Sequence, residues 1–114
     1  MPNFIAMRIG AVEPEVEAPD SGSVISGKPR FKSWTLDEAD GGLSSGIWEA
    51  TPGKWHFENA HWEYCRILGG VSVVTEDGGE PHTLRAGDAF ILQAGFKGTW
   101  EVIETTRKDY VIRL

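Results

Sequence analysis

The stretch "GKWHFENAHWEYCRILGG", residues 53–70, decides how this chain folds. Through Trp55-His56-Phe57-Glu58, apolar and polar residues alternate with the period of two of a half-buried β-strand. His56 and Glu58 therefore point one way, and Trp55 and Phe57 the other. Past Asn59-Ala60, read as a turn or bulge, Glu63, Cys65 and Ile67 share one face of a second strand. An imidazole and a carboxylate lie two apart twice, in His56-Phe57-Glu58 and in His61-Trp62-Glu63. If the turn resets the parity, His56, Glu58 and Glu63 converge on one interior. One imidazole and two carboxylates would then suit a first-row divalent ion with open positions, and His61 is a fourth candidate. The competing reading is plain amphipathic alternation, with His56 and Glu58 on the solvent face.

Working outward, short β-branched and aromatic runs recur from Phe31 to the C-terminus: "GIWEA", "KWHFE", "WEYCRIL", "VSVVTE", "PHTLR", "DAFILQ", "TWEVIE" and "DYVIRL". Turns such as "EDGG" at 76–79 and "QAG" at 93–95 separate several of them. Many short strands with almost no helical period predict an all-β antiparallel sandwich or barrel. The one helix candidate is "TLDEAD" at 35–40, where Thr35 and Glu38 have capping-box spacing and Gly41-Gly42 follows at once. Residues 10–30 are rich in Pro, Gly, Ser and acid and lack apolar periodicity. The expected organisation is an N-terminal arm over 1–30, lying on the domain or on a partner, and a β-barrel domain over 31–114.

A chain of 114 residues fits one such domain. Its 11 basic and 17 acidic residues give a net charge of −6 with no basic run, which argues against nucleic acid or an anionic membrane as the main partner. The single cysteine, Cys65, excludes an internal disulfide and a cysteine zinc cluster. No stretch approaches the ~20 apolar residues of a membrane span. The start does not read as a signal peptide, because Arg8 interrupts its apolar run and acids follow. A soluble cytoplasmic domain is the expectation. Two decoys drop out. "GLSSG" at 42–46 matches a nucleophile-elbow pattern but lacks the strand, helix and parallel sheet that would make Ser44 a nucleophile. "HFENAH" spaces its histidines five apart, one too many for a zinc-binding helix face.

The run "GIWEATPGKW…EYCRILGGVSVVTEDGG…LRAGDAFILQAGFKGTWEVIETTRKDYVI" resembles the small single-domain cupins of the (S)-ureidoglycine aminohydrolase cupin-domain family, from near Lys28 to the end. The resemblance implies a cupin jelly-roll β-barrel of two antiparallel sheets around a pocket open at one end. Cupins carry G-x5-H-x-H-x(3,4)-E-x6-G. Against it, His56 fits the first histidine, Glu58 stands at the second, Glu63 fits the glutamate, Gly70 closes the motif, and Ala50 replaces the opening glycine. In the second motif, G-x5-P-x-G-x2-H-x3-N, Gly87 and Gly95 match, while Gln93, Gly98 and Val102 replace the proline, the histidine ligand and the asparagine. The implied metal set is degenerate. The cofactor expectation is either none or one divalent ion (Mn, Fe, Zn or Ni) on His56, Glu58 and Glu63.

A barrel interior with a few convergent polar groups is a small-molecule site. Glu63 leads as general base or ligand anchor, because a carboxylate facing such an interior must find a partner or shift its pKa. Lys108 and Tyr110 share a strand face with Ile112 and can anchor a ligand or move a proton. Cys65 reads as a buried, unreactive thiol of the pocket. Trp48, Trp55, Trp62 and Trp100 read as core and pocket wall. His82 reads as solvated, and Asp88 as a turn residue bonded to local backbone. Two functions stay open: a small-molecule-processing cupin for a ureido, amine or amino-acid-derived metabolite, or a non-catalytic metabolite-binding cupin. Exposed sheet edges and the N-terminal arm make a homodimer the expected assembly.

Overall fold

In the computed structural model, which describes residues 3–114, the alternating runs become nine strands. They are β1 (Glu15–Glu17), β2 (Val24–Gly27), β3 (Phe31–Ala39), β4 (Leu43–Ala50), β5 (Gly53–Asn59), β6 (Trp62–Glu76), β7 (Pro81–Arg85), β8 (Ala89–Leu92) and β9 (Phe96–Arg113). Every pairing is antiparallel. The order runs β1-β3-β4-β9-β5-β2, with β6 also on β9 and with β7 and β8 on β6.

Two strands are longer than the sequence runs imply. "WEYCRIL" and "VSVVTE" join into β6, and "TWEVIE" and "DYVIRL" join into β9. The C-terminal half of β9 lies between β4 and β6, where Tyr110 is opposite Gly46 and Cys65. Its N-terminal half lies between β5 and β6, where Trp100 is opposite Trp55 and Val74. Strands shared in this way curl one sheet into two facing layers, a jelly roll. β6 turns from one layer to the other through register shifts between Ile67 and Ser72. Gly70 sits there at φ 87°, and a β-carbon on it would run into the Thr105 carbonyl. That requirement explains the glycine at this end of the motif.

Between the layers, Ala50, Trp55, Ile67, Val74, Leu84, Trp100 and Val102 form the buried core, with Phe31, Trp48, Phe57, Phe90 and Phe96 packed against it. The helix expected at 35–40 is instead the end of β3, where Thr35 pairs with Gly46 and Glu38 with Ser44 across a bulge. A six-residue segment cannot offset helix nucleation, whereas pairing with β4 satisfies its backbone directly. The segment 1–30 also contributes strands: β1 pairs with β3 and β2 with β5 of the same chain. Each of these arm strands pairs along one side only, so β1 and β2 are the two ends of that strand order.

Candidate functional site

Strand register builds the site. Cross-strand partners share a face, and the pairing sets Trp48, Lys108 and Ile67 in one row and Gly46, Tyr110 and Cys65 in the next. Glu63 and Ile112 form a third row. These rows face inward, as do Trp55, Phe57 and Asn59 of β5. Lys108 is only 6% exposed. Its Nζ donates to Glu63 Oε2 at 3.0 Å and to Cys65 Sγ at 3.4 Å. The same ammonium lies 4.7 Å from the ring centroids of both Trp48 and Trp100, a desolvated cation between two indole rings. Trp100 is fixed in turn, its Nε1 donating to Ser72 Oγ at 3.0 Å. Glu63 Oε2 also accepts from the Cys65 thiol, and Oε1 from Asn59 Nδ2, both at 3.2 Å. Asn59 Oδ1 accepts the His61 backbone N–H at 3.2 Å, which orients that amide.

A cavity of about 300 Å³ opens onto this cluster, with Phe31, Trp55, Phe57, Tyr110 and Ile112 among its walls. Burial alone would raise the Glu63 pKa, but the charge of Lys108 and the hydrogen bonds from Lys108, Cys65 and Asn59 outweigh it and hold the carboxyl below its ordinary value. Burial alone would lower Lys108. The charges of and hydrogen bonds to Cys65 and Glu63 reverse this and carry it above the usual lysine value. Burial, reinforced by Glu63, pushes the Cys65 thiol up to about 12, so it is a protonated hydrogen-bonding group and not a nucleophile. Burial likewise raises the Tyr110 phenol. At neutral pH the site is a closed Glu⁻–Lys⁺ pair with a neutral thiol and phenol.

The structure thus brings together Glu63, Lys108, Tyr110, Cys65, Trp48, Trp55 and Trp100. It does not bring His56 to them, and Glu58 borders the cavity with its side chain turned to solvent. β5 keeps strict alternation through Asn59, so its inner positions are Trp55, Phe57 and Asn59, and His56 and Glu58 are exposed. Glu58 instead lies 3.9 Å from Lys97 at the surface. The expected parity reset does not occur, which corrects the motif register by one residue. Phe57 and Asn59 hold the two inner positions of H-x-H, and Glu63 follows after three residues. Among the described residues, no three His, Cys, Asp or Glu side chains are grouped to hold a metal ion. The donors present therefore do not fit the metal that the fold family implies.

The fourth ligand position, Gly98, is closed for a different reason. A β-carbon there would collide with the Thr75 carbonyl and lie 2.9 Å from Glu76 Cα, both on β6. Gly98→Ala and Gly98→His should each cost about 3 kcal/mol in urea unfolding, because the clash begins at Cβ. Neither change should create a metal site; normal stability with tight zinc binding in Gly98→His would contradict this.

Asn59 was legible only as a turn residue, although a polar side chain at inner parity before Glu63 was a signal for it. Trp62 is 36% exposed on the outer face and is not pocket wall. His82 is exposed, and Asp88 accepts the Arg85 backbone N–H at 2.8 Å, as a turn residue does. A wider groove of about 660 Å³ gathers Asp20, His56, Glu58, Asp77 and Lys97. These polar side chains are exposed to solvent, so they grip a ligand weakly.

Comparison with known proteins agrees with this architecture. The model of the EutQ-like cupin domain matches residues 37–110. A protein of unknown function from Pseudomonas syringae pv. tomato superposes with a TM-score of 0.78 at 26% identity, over 87% of this chain and 43% of that one. The Clostridium difficile EutQ protein gives 0.67 at 17% identity, over 75% and 63%. A predicted oxalate decarboxylase from Thermotoga maritima gives 0.75 at 18% identity, over 96% and 99%. The chain thus spans less than two thirds of the first two. No protein of curated function matches it.

Proposed function

The chain belongs to the EutQ-like cupin domain family, and from that premise we propose that it binds a small polar metabolite bearing an amide or ureido N–H. Glu63 is the anchor, in the lining of the aromatic-walled cavity. The observation that carries this reading is the buried pair itself, with Lys108 Nζ 3.0 Å from Glu63 Oε2 between Trp48 and Trp100. A carboxylate has about four acceptor sites. On Glu63, Oε2 takes Lys108 and Cys65, and Oε1 takes Asn59, which leaves one acceptor site on Oε1. Asn59 Nδ2 has a second hydrogen beside it. An acceptor next to a donor complements the N–H and C=O of an amide or ureido group. Because Lys108 already balances Glu63, a neutral group fits better than a free carboxylate. The resemblance to the (S)-ureidoglycine aminohydrolase cupin-domain family supports the same class of ligand.

Binding is favoured over processing with Glu63 as base. A general base works best with a pKa near the working pH. Glu63 lies below its ordinary range and Lys108 above its own. Calorimetric titration with matched series of small amides, ureides, amines and carboxylates tests the proposal. Amides or ureides should bind with an affinity nearly constant from about pH 6 to 9. Glu63→Gln should weaken them about tenfold or more, the value of one hydrogen bond to a charged acceptor. Tighter binding of carboxylates, or turnover with a pH optimum near neutrality, would overturn it.

A further inference from the structure

We propose that the Lys108 ammonium stands in the place of the cupin metal ion, so that this chain carries its own fixed cation as the counter-charge of Glu63. Glu63 is the one residue of metal-ligand type left at the four inner motif positions. The other three are Phe57, Asn59 and Gly98, and the first two offer no imidazole or carboxylate. Gly98 admits no side chain at all beside the Thr75 carbonyl.

In their place a cation arrives from the other layer. Lys108 lies on β9 opposite Trp48 and Ile67 and reaches Glu63 Oε2 at 3.0 Å. The indoles of Trp48 and Trp100, each 4.7 Å away, supply the remaining surroundings, and their π faces favour an ammonium. Cys65 completes the site as acceptor from Lys108 and donor to Glu63. A divalent ion entering here would face a buried positive charge and a glutamate whose Oε2 is already taken by Lys108 and Cys65. An ammonium has no open coordination position, so ligands are selected by hydrogen bonding and stacking, and chelating groups gain nothing. This assignment does not depend on which metabolite binds.

Trp48 and Trp100 border the site and report on it. Titrating the wild-type chain with Mn²⁺, Co²⁺, Ni²⁺ and Zn²⁺ should give no saturable change in tryptophan fluorescence and no stoichiometric heat. One equivalent bound with quenching, lost in Glu63→Gln, would overturn the proposal whatever the metabolite panel gives. Lys108→Ala supplies the second arm, since it removes a propylammonium equivalent from between the rings. n-Propylammonium chloride should restore part of its lost thermal stability in a saturable way. Propanol and sodium chloride at matched concentrations should not. The double variant Glu63→Gln/Lys108→Ala should show no such selectivity. A folded Lys108→Ala that n-propylammonium does not stabilise would count against the assignment. If that variant does not fold, the wild-type titration decides alone.

Discussion

Lys108→Met lowers the stability of the chain by about 3 to 5 kcal/mol, the range for breaking a buried ion pair from one side. The loss does not come from poor packing, since methionine fills much of the lysine's volume between Trp48 and Trp100. It comes from Glu63, left among apolar groups with only Asn59 and Cys65 donating to it. The double variant Glu63→Gln/Lys108→Met should recover most of the loss, because a neutral amide and a thioether carry no uncompensated charge. Urea unfolding of the wild type and three variants closes the cycle. A single-variant loss below about 1 kcal/mol would mean that the pair is solvated and weakly coupled, as surface pairs are.

The same pair sets a pH window. Glu63 has a lowered folded pKa, so its contribution is present above its unfolded value of about 4.5 and lost as pH falls through the lower folded value. Lys108 has a raised folded pKa, so its contribution is full below about 10.5 and lost as pH rises through the higher folded value. Cys65 acts in the same alkaline direction, because the unfolded thiol ionises from about 9 and the folded one only near 12. The part of stability that depends on this site should therefore be flat from about pH 5 to 9 and fall on both sides. In Glu63→Gln/Lys108→Met the acid limb from this pair should vanish and the alkaline limb should shrink to the Cys65 part.

The second large effect is Trp100→Ala, expected to cost about 3 to 5 kcal/mol, the range for truncating a buried aromatic. Trp100 is 3% exposed. Its ring is 5.2 Å from Trp48, edge-on, and 6.4 Å from Trp55, stacked at 10°. Phe57 and Phe90 lie at 6.1 and 6.0 Å. The truncation opens a cavity among four aromatic rings, removes one of the two faces over Lys108, and frees Ser72 Oγ of its indole donor. Trp100→Phe should lose less, keeping most of the packing but not the hydrogen bond. Trp62→Ala is the control. On the outer face it should change stability by under about 1 kcal/mol. Equal losses in Trp62→Ala and Trp100→Ala would refute the inner-face assignment of β9.

Much of this was legible in the chain itself. Strict alternation in "KWHFE" and "EYCRI" specified strands and faces, because a strand turns each residue by half a revolution whatever surrounds it. Glu63 and Cys65 on one face, and Lys108 and Tyr110 on another, followed from the same parity. The glycine turns marked most strand ends, and the motif residues from Glu63 to Gly70 pointed to a jelly roll. What failed were inferences that needed a neighbour. The parity of β5 relative to β6 depended on two connecting residues, Ala60 and His61, and a slip of one there exchanges His56 and Glu58 for Phe57 and Asn59. "TLDEAD" carried a capping signal, but β4 supplied a longer set of hydrogen bonds.

The sequence by itself therefore determined the all-β class and the alternation of each strand, and offered Glu63 and Lys108 among several candidates for charge inside the barrel. Tertiary structure decided which face of β5 is interior. It also decided that Lys108 and Glu63, 45 positions apart, meet at 3.0 Å, and that two tryptophans from β4 and β9 close over the ammonium. The physical reason is locality: strand periodicity is a property of a few consecutive residues, whereas register and the pairing of buried charges are fixed by strands distant in the chain.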